Sequence, residues 1–132
     1  MTNIIDENNK STPFTLGNYV TYDYDSSNSL NKLYYSIEKY TVEKYIKDNL
    51  YEKEVIENIL KTASSLTQEY FGQIKPFLSV YNDPELATKD LLITIHTGID
   101  NIDILFDKEL KYLSQLSKLE PNYTNFITIM ID

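Results

Sequence analysis

The chain has no cysteine, arginine or tryptophan, and it has only three glycines and one histidine. Without cysteine there can be no disulfide framework, no thiolate nucleophile and no cysteine-ligated zinc site. All 12 basic residues are lysines, so the chain has no guanidinium group for bidentate binding of phosphate or carboxylate. Gly17, Gly72 and Gly98 stand far apart in the chain, which excludes a glycine-rich phosphate-binding loop.

Long apolar runs and targeting signals are also missing. No stretch approaches the roughly 20 consecutive apolar residues that a membrane helix needs. The first ten residues, MTNIIDENNK, lack the basic and apolar regions of a signal peptide. We therefore expect a cytoplasmic protein that does not contact a membrane.

The net charge of −8 restricts the class of partner. A strongly acidic surface repels a phosphate backbone, so we expect no direct binding to nucleic acid. The same charge is compatible with a basic protein partner, or with an acidic inhibitor that mimics nucleic acid. Its simplest interpretation is solubility.

The length of 132 residues predicts one domain. Residues 1–13 are polar and predict a flexible N-terminus, which leaves residues 14–132 as a single α+β domain. The run "FTLGNYVTYDYD" over residues 14–25 has the composition and the alternation of a β-strand. The periodicity of segment 26–40 fits a helix and the returning strand of a β-hairpin equally well. Its aromatic content slightly favours the hairpin.

Two helices are predicted by apolar residues that recur every three or four positions. The first covers about residues 52–71 and ends at Gly72. The second begins with Asp100 as its N-cap and Asp103 in its first turn, and it ends before Pro121. Its predicted core face consists of Ile102, Leu105, Phe106, Leu110, Leu113 and Leu116.

Three strands complete the predicted domain. They are residues 77–81, the apolar run "LLITIHT" (91–97), and "NFITIMI" (125–131), with the turn-forming loop "NDPELATKD" (82–90) between the first two. The predicted architecture is a two-layer α-β-β-α-β sandwich. Because helical crossovers are right-handed, we expect strand three to be parallel to strand two, with strand order 2-1-3.

One possible catalytic site centres on the single histidine. His96 could act as a general base oriented by Asp83, Glu85 or Asp90, as in a small hydrolase or a metal-dependent enzyme. The simpler interpretation is that the acids form a turn and that His96 lies on the less buried face of a strand. Asp100, Asp103 and Asp107 share a helix face. Together with Asp83, Glu85 and Asp90 they resemble a hard-metal cluster, but a cap and a solvated surface explain the three helix aspartates more simply. We expect no metal and no cofactor.

Tyrosine is concentrated near the N-terminus, where eight of the 12 fall between Tyr19 and Tyr51. Tyrosine is enriched at protein interfaces, although codon bias and β-propensity explain the same density. The predicted partner-binding residues are Tyr19, Tyr22, Tyr24, Tyr34 and Tyr35, with Asp83 and Glu85 as a second contact region. The apolar strand "NFITIMI" would promote aggregation at an open edge. It must be internal, covered by the N-terminal region or paired with another chain.

Residues 55–113 resemble a family of small, uncharacterised bacterial proteins. The resemblance is carried by Phe71-Gly72 at a helix end, the Asp83-Pro84-Glu85 turn, the apolar strand 91–95 and Phe106-Asp107. Members of this family are often acidic partners encoded beside another short gene, as in toxin–antitoxin or phage-defence pairs. The resemblance implies an antitoxin-like or defence-associated protein and transfers no catalytic residues. We therefore expect a non-enzymatic interaction module that binds the product of a neighbouring gene or forms a homodimer.

Overall fold

A computed structural model describes residues 30–36 and 38–132. The chain divides into two units, residues 1–32 and residues 33–132. The segments predicted as a flexible N-terminus and as a strand, residues 1–13 and 14–25, lie outside the described residues. A single domain over residues 14–132 therefore stays a prediction.

The second unit contains helices and strands in an α+β arrangement, which confirms the predicted class. The elements are α1 (Lys39–Asp48), α2 (Lys53–Phe71), β1 (Phe77–Asp83), β2 (Thr88–Ile95), α3 (Ile102–Leu119) and β3 (Ile127–Ile131). Short 3-10 turns at Leu50–Glu52 and Tyr123–Asn125 join α1 to α2 and precede β3. Helix α2 matches the helix predicted over residues 52–71.

Strands β1 and β2 form a hairpin, as the loop prediction required. Phe77 pairs with Thr94 at one end of the ladder and Asp83 pairs with Thr88 at the other. The turn between them, residues 84–87, is closed by the Asp83 carboxylate, which accepts hydrogen bonds from the backbone N–H groups of Glu85 and Leu86 at 2.9 and 3.2 Å. An aspartate in this position forms an Asx turn, which explains why the acidic D-P-E stretch reverses the chain.

The order of the strands differs from the prediction. Strand β2 is central, with β1 antiparallel on one side and β3 parallel on the other. The parallel relationship is confirmed, and the predicted order 2-1-3 is wrong. The reason is that the crossover through α3 returns beside the strand that it left, so the most apolar strand acquires a neighbour on each edge. Leu91, Ile93 and Ile95 of β2 are all fully buried.

Alternate residues of the sheet face the core. The buried or half-buried inner side chains are Leu78 and Val80 of β1, Leu91, Ile93 and Ile95 of β2, and Ile127, Ile129 and Ile131 of β3. Helix α2 contributes one apolar stripe to the same core, consisting of Ile56, Ile59, Leu60, Ala63 and Leu66. This burial follows from period two in the strands and period 3.6 in the helix.

Tyr112 joins helices α2 and α3. Its side chain is fully buried and its hydroxyl donates to the carbonyl oxygen of Ala63 at 3.1 Å, within 3.4 Å of the Thr67 hydroxyl. Its ring packs against the rings of Tyr70 and Phe71, with centroids 6.4 and 5.7 Å away. Burial raises the pKa of Tyr112 to about 12, because the phenolate would be poorly solvated there.

Helix α3 corrects two predictions. Its N-cap is Asn101 and not Asp100: the Asn101 side chain accepts hydrogen bonds from the backbone N–H groups of Asp103 and Ile104. The predicted core face is also too wide, because Ile102, Phe106 and Leu110 are exposed. The buried side of the helix is centred on Tyr112 and Leu116.

Of the segment 26–40, the structure describes residues 30–36 and 38–40, which form neither a continuous strand nor a continuous helix. Residues 30–33 are helical, and Tyr35 makes a single parallel bridge to Phe77. The bridge consists of hydrogen bonds from Tyr35 N–H to the Pro76 carbonyl at 2.9 Å and from Leu78 N–H to the Tyr35 carbonyl at 2.8 Å. This short contact places Tyr35 beside the first residue of β1.

Candidate functional site

The single histidine lies just beyond the end of β2, next to the residue that follows β3. His96 Nδ1 is 2.8 Å from Asp132 Oδ1. The two residues meet because β2 and β3 run parallel and end together, with Ile95 paired to Ile131. Two further hydrogen bonds fix this end of the sheet: Asp132 N–H donates to the Ile95 carbonyl at 3.0 Å, and Thr97 N–H donates to the Asp132 carbonyl at 2.8 Å.

Aromatic side chains continue this pair across the outer face of the sheet, the face opposite the core. The Phe77 ring lies 5.6 Å from the His96 ring in an edge-to-face arrangement. The Tyr35 ring lies 5.4 Å from the Phe77 ring, and Lys75 Nζ is 4.5 Å from the centroid of the Tyr35 ring. Lys75, Tyr35, Phe77, His96 and Asp132 therefore form a line that crosses all three strands, which we call the aromatic row.

The aromatic row is open to solvent. Tyr35 is 53% exposed and Phe77 is 38% exposed, and the exposed fractions of the His96 and Asp132 side chains are 59% and 68%. Met130 on β3 adds apolar surface beside the row, since it lies opposite Thr94, which itself pairs with Phe77. Exposed aromatic and methionine side chains grouped in this way are typical of protein interfaces.

The acids predicted to orient His96 lie elsewhere. Asp83 is the last residue of β1 and Glu85 lies in the hairpin turn, both at the opposite end of β2 from His96. Asp90 is six residues from His96 along the strand, which corresponds to about 20 Å. The carboxylate that reaches the imidazole is that of Asp132, which the sequence could not indicate because the pairing depends on the register of two parallel strands.

Asp90 instead contributes to the surroundings of Tyr45 on α1. The pKa of Tyr45 is raised by burial first, and then by the nearby carboxylates of Asp90 and Glu52. Helix α1 packs against β1. Asp90 thus acts on a side chain of α1, and neither it nor the acids at the turn converge with His96.

The tyrosines predicted to contact a partner have different environments. Tyr19, Tyr22 and Tyr24 lie outside the described residues. Tyr34 is buried and its hydroxyl donates to the Leu60 carbonyl of α2, so it belongs to the core and cannot contribute to a surface. Burial also raises the pKa of Tyr34 well above its usual value. Tyr35, its neighbour in sequence, points the other way and joins the aromatic row.

Sequence reasoning missed Phe77, Lys75 and Met130 as surface residues. The sequence did indicate exposure for Phe77 and Met130, because both alternate with residues of the core face in their strands. Their apolar character suggested instead that they are buried. Alternation would have been the better guide, since residues that neighbour an inward side chain must point outward.

The aspartates of α3 do not form a metal centre. Asp107 pairs with Lys111 at 3.0 Å one helical turn away, and Asp103 lies beside the Asn101 cap. Within residues 30–36 and 38–132, no group of three or more histidine, aspartate or glutamate side chains could hold a metal ion. In the same part of the chain, no helix combines the length and apolar character that crossing a membrane requires.

Comparisons with protein-family models, with curated proteins and with solved structures give no match to this chain.

Proposed function

We propose that the protein is a non-enzymatic interaction module that binds a protein partner through the aromatic row and the adjacent Met130. The observation that carries the proposal is the exposure of Tyr35, Phe77 and Met130 together on one face of a sheet whose other face forms the core. Large exposed side chains cost solvation free energy in the unbound protein. Their grouping on one surface indicates a site that becomes buried when a partner binds.

The residue types of the row suit recognition by a protein. An aromatic ring buries a large apolar area with few rotatable bonds, which lowers the entropy lost on binding. The row also ends in opposite charges, Lys75 at one side and Asp132 at the other. These charges can set the orientation of a partner, because a partner docked the wrong way would place like charges together.

The net charge of −8 indicates the chemistry of the partner. A basic partner would be attracted over a distance of about a Debye length, which increases the association rate at low salt. Affinity would then come from burying the apolar side chains of the row. The family resemblance suggests where to look first: the product of a neighbouring gene, with the present chain as its antitoxin-like or defence-associated partner in the cytoplasm.

Binding accounts for the site better than catalysis does. An oxyanion or another developing charge is stabilised most strongly in a site that excludes water. The His96–Asp132 pair is more than half exposed on both sides. The acids that the hydrolase interpretation required, Asp83, Glu85 and Asp90, are far from the imidazole.

The test uses two tyrosines that differ in position and not in chemistry. Tyr35→Ala removes the central ring of the row while its backbone bridge to β1 is kept. Tyr51→Ala removes a fully exposed tyrosine from the 3-10 turn between α1 and α2. The chain is co-expressed with the neighbouring gene product. The affinity between the two purified proteins is measured by calorimetry.

We expect Tyr35→Ala to weaken the complex about tenfold or more and Tyr51→Ala to leave it unchanged. Met130→Lys should weaken it as well, because a lysine would be buried against a basic partner. Equal affinities for the three variants and the wild type would contradict the proposed surface. Failure of the wild-type chain to bind the neighbouring gene product would contradict the proposed partner.

A further inference from the structure

We infer that a second copy of this chain pairs with the edge of β3 and with the exposed side of α3, which forms a two-fold dimer with one continuous six-stranded sheet. This surface shares β3 with the aromatic row, but it uses the backbone edge of the strand and helix α3 and not the outer side chains of the sheet. The inference therefore does not depend on the proposed function. It rests on three observations: the position of β3 in the sheet, the exposed apolar side chains of α3, and the distribution of charge along that helix.

Strand β3 lies at an edge of the sheet formed by the described strands. The hydrogen bonds that link this strand to β2 include those of the Phe126 carbonyl with Leu91 and of Asp132 with Ile95 and Thr97. Successive residues of a strand direct their backbone groups to alternate sides. The N–H and C=O groups of Ile127, Ile129 and Ile131 therefore point away from β2, toward the side where no described strand lies, and there they can pair with another strand.

Helix α3 carries exposed apolar side chains at regular spacing. Ile102, Phe106 and Leu110 follow one another at intervals of four residues and are 76%, 59% and 52% exposed. Leu113, half-buried, continues the same line toward the core. We call Ile102, Phe106, Leu110 and Leu113 the α3 stripe. Intervals of three and four residues keep these side chains on one side of the helix.

The α3 stripe faces the same side of the domain as the β3 edge. Helix α2 contacts α3 through Tyr112 and through Lys108, whose ammonium group donates to the Tyr70 carbonyl at 3.1 Å. At 3.6 residues per turn, the stripe is about 140° around the helix from these contacts. The buried Leu116 lies on the helix between the side that contacts α2 and the side that carries the α3 stripe. The α3 stripe therefore points away from α2, toward the space beyond β3.

A two-fold axis beside β3 brings both the β3 edges and the α3 stripes of two copies into contact. Pairing of two β3 strands in antiparallel fashion makes the two α3 helices antiparallel neighbours. A helix that connects two adjacent parallel strands lies above the gap between them, one strand spacing of about 4.8 Å from such an axis. The two helices would then be about 10 Å apart, which is the distance at which helices pack through their side chains.

Charges along α3 are complementary in this antiparallel arrangement. The first half of the helix carries Asp103, Asp107 and Glu109, together with Lys108, which is directed at α2, and the second half carries Lys111 and Lys118. Asp103, Asp107 and Lys118 lie on the flank next to the α3 stripe. Helices that cross at their midpoints, near Leu110, place Asp103 of each copy beside Lys118 of the other. A parallel arrangement would instead oppose like charges.

The experiment measures the mass of the full chain in solution over about a hundredfold range of concentration, by analytical ultracentrifugation. We expect a reversible monomer–dimer equilibrium. Phe106→Lys should raise the dissociation constant about tenfold or more, because it places a charge in the centre of the contact. The matched control is Ile104→Lys on the same helix, which introduces the same charge outside the α3 stripe and should leave the dissociation constant unchanged.

Charge reversal separates local pairing from general repulsion. Asp103→Lys brings the net charge closer to zero and Lys118→Asp makes it more negative. If only net charge mattered, the first variant would strengthen the dimer. Local pairing predicts that each single variant weakens the dimer and that the double variant restores it.

Hydrogen exchange tests the contribution of β3. The amide N–H groups of Ile127, Ile129 and Ile131 should exchange slowly in the dimer and quickly after dilution or in Phe106→Lys. A monomer at every concentration would overturn the inference. So would a dimer in which these three amides exchange quickly, since the helices alone would then hold it together.

Discussion

His96 and Asp132 are 36 residues apart in the chain, yet their side chains meet at 2.8 Å where two parallel strands end. A carboxylate can only accept a hydrogen bond, so the neutral imidazole must present its proton at Nδ1. Its Nε2 atom is then left as an acceptor on the exposed outer face. The geometry of the sheet end therefore selects one of the two tautomers of His96.

We predict that the neutral form of His96 is mainly the Nδ1–H tautomer. Nitrogen NMR of the ring measures this directly, and the signals need no assignment because the chain has one histidine. Asp132→Asn should reduce the preference, since an amide can donate as well as accept. Its effect on the free energy of unfolding should stay within about 0.5 kcal/mol, because the pair is exposed. A mainly Nε2–H ring in the wild type would contradict the observed pairing.

A second prediction concerns stability at alkaline pH. The pKa of Tyr112 is about 12 in the folded protein and 10.0 in a solvated tyrosine. The unfolded chain therefore loses this proton first, and the stability due to the neutral phenol is full below pH 10.0 and is lost as the pH rises through about 12. Two pKa units correspond to about 2.7 kcal/mol. About half of this, roughly 1.4 kcal/mol, should be lost by pH 11, and urea unfolding between neutral pH and about pH 11 measures it.

Tyr112→Phe is the control for this effect. At neutral pH we expect it to lower the free energy of unfolding by about 1 kcal/mol, through loss of the hydrogen bond to the Ala63 carbonyl. It should also make stability less sensitive to alkaline pH. Some sensitivity should remain, because burial raises the pKa of Tyr34 as well. An unchanged pH profile would show that the Tyr112 phenol does not titrate as described.

A third prediction distinguishes two neighbouring residues at the start of α3. Asn101→Ala removes the acceptor for the N–H groups of Asp103 and Ile104 and should lower the free energy of unfolding by about 1 kcal/mol. Asp100→Ala lies one residue outside the cap and should change it by less than about 0.5 kcal/mol. Chemical denaturation compares the two variants. The reverse order of effects would restore Asp100 as the N-cap.

A fourth prediction concerns the hairpin turn. Ala87 has a φ of 54°, a left-handed conformation that costs roughly 1–2 kcal/mol for a residue with a Cβ atom. Ala87→Gly should raise the free energy of unfolding by about 0.5 kcal/mol, because relief of this strain exceeds the added entropy of the unfolded chain. Gly98, with a φ of 71° and open space around it, provides the opposite test. Gly98→Ala should destabilise, and both changes can be followed by thermal unfolding.

The elements that could be predicted from the sequence are those defined by local patterns. Helix α2 follows from one apolar stripe that ends at Gly72. The hairpin follows from two apolar runs around a turn whose acid, Asp83, bonds to the next residues in the chain. In each case the residues that determine the structure are neighbours in the sequence, so no knowledge of distant contacts is needed.

The predictions that failed depend on distant parts of the chain. Strand order is decided by where β3 returns after α3, and the partner of His96 is decided by the register of β3. The apolar period of α3 was real, but the sheet and α2 cover only one side of the helix. Ile102 and Phe106 are thus periodic and exposed. The periodicity of a sequence shows which residues lie on the same side of a helix. How much of that side is buried depends on the elements that pack against it.

The central position of β2 also imposes an order on folding during synthesis. Its contacts with β1 span a short turn and can form as soon as residue 95 has left the ribosome. Of the described strands only β3 pairs with its other edge, so this apolar edge stays bare until β3 has been made and has docked. A chain that stops before residue 127 would keep this edge of β2 unpaired, which would make it prone to aggregation.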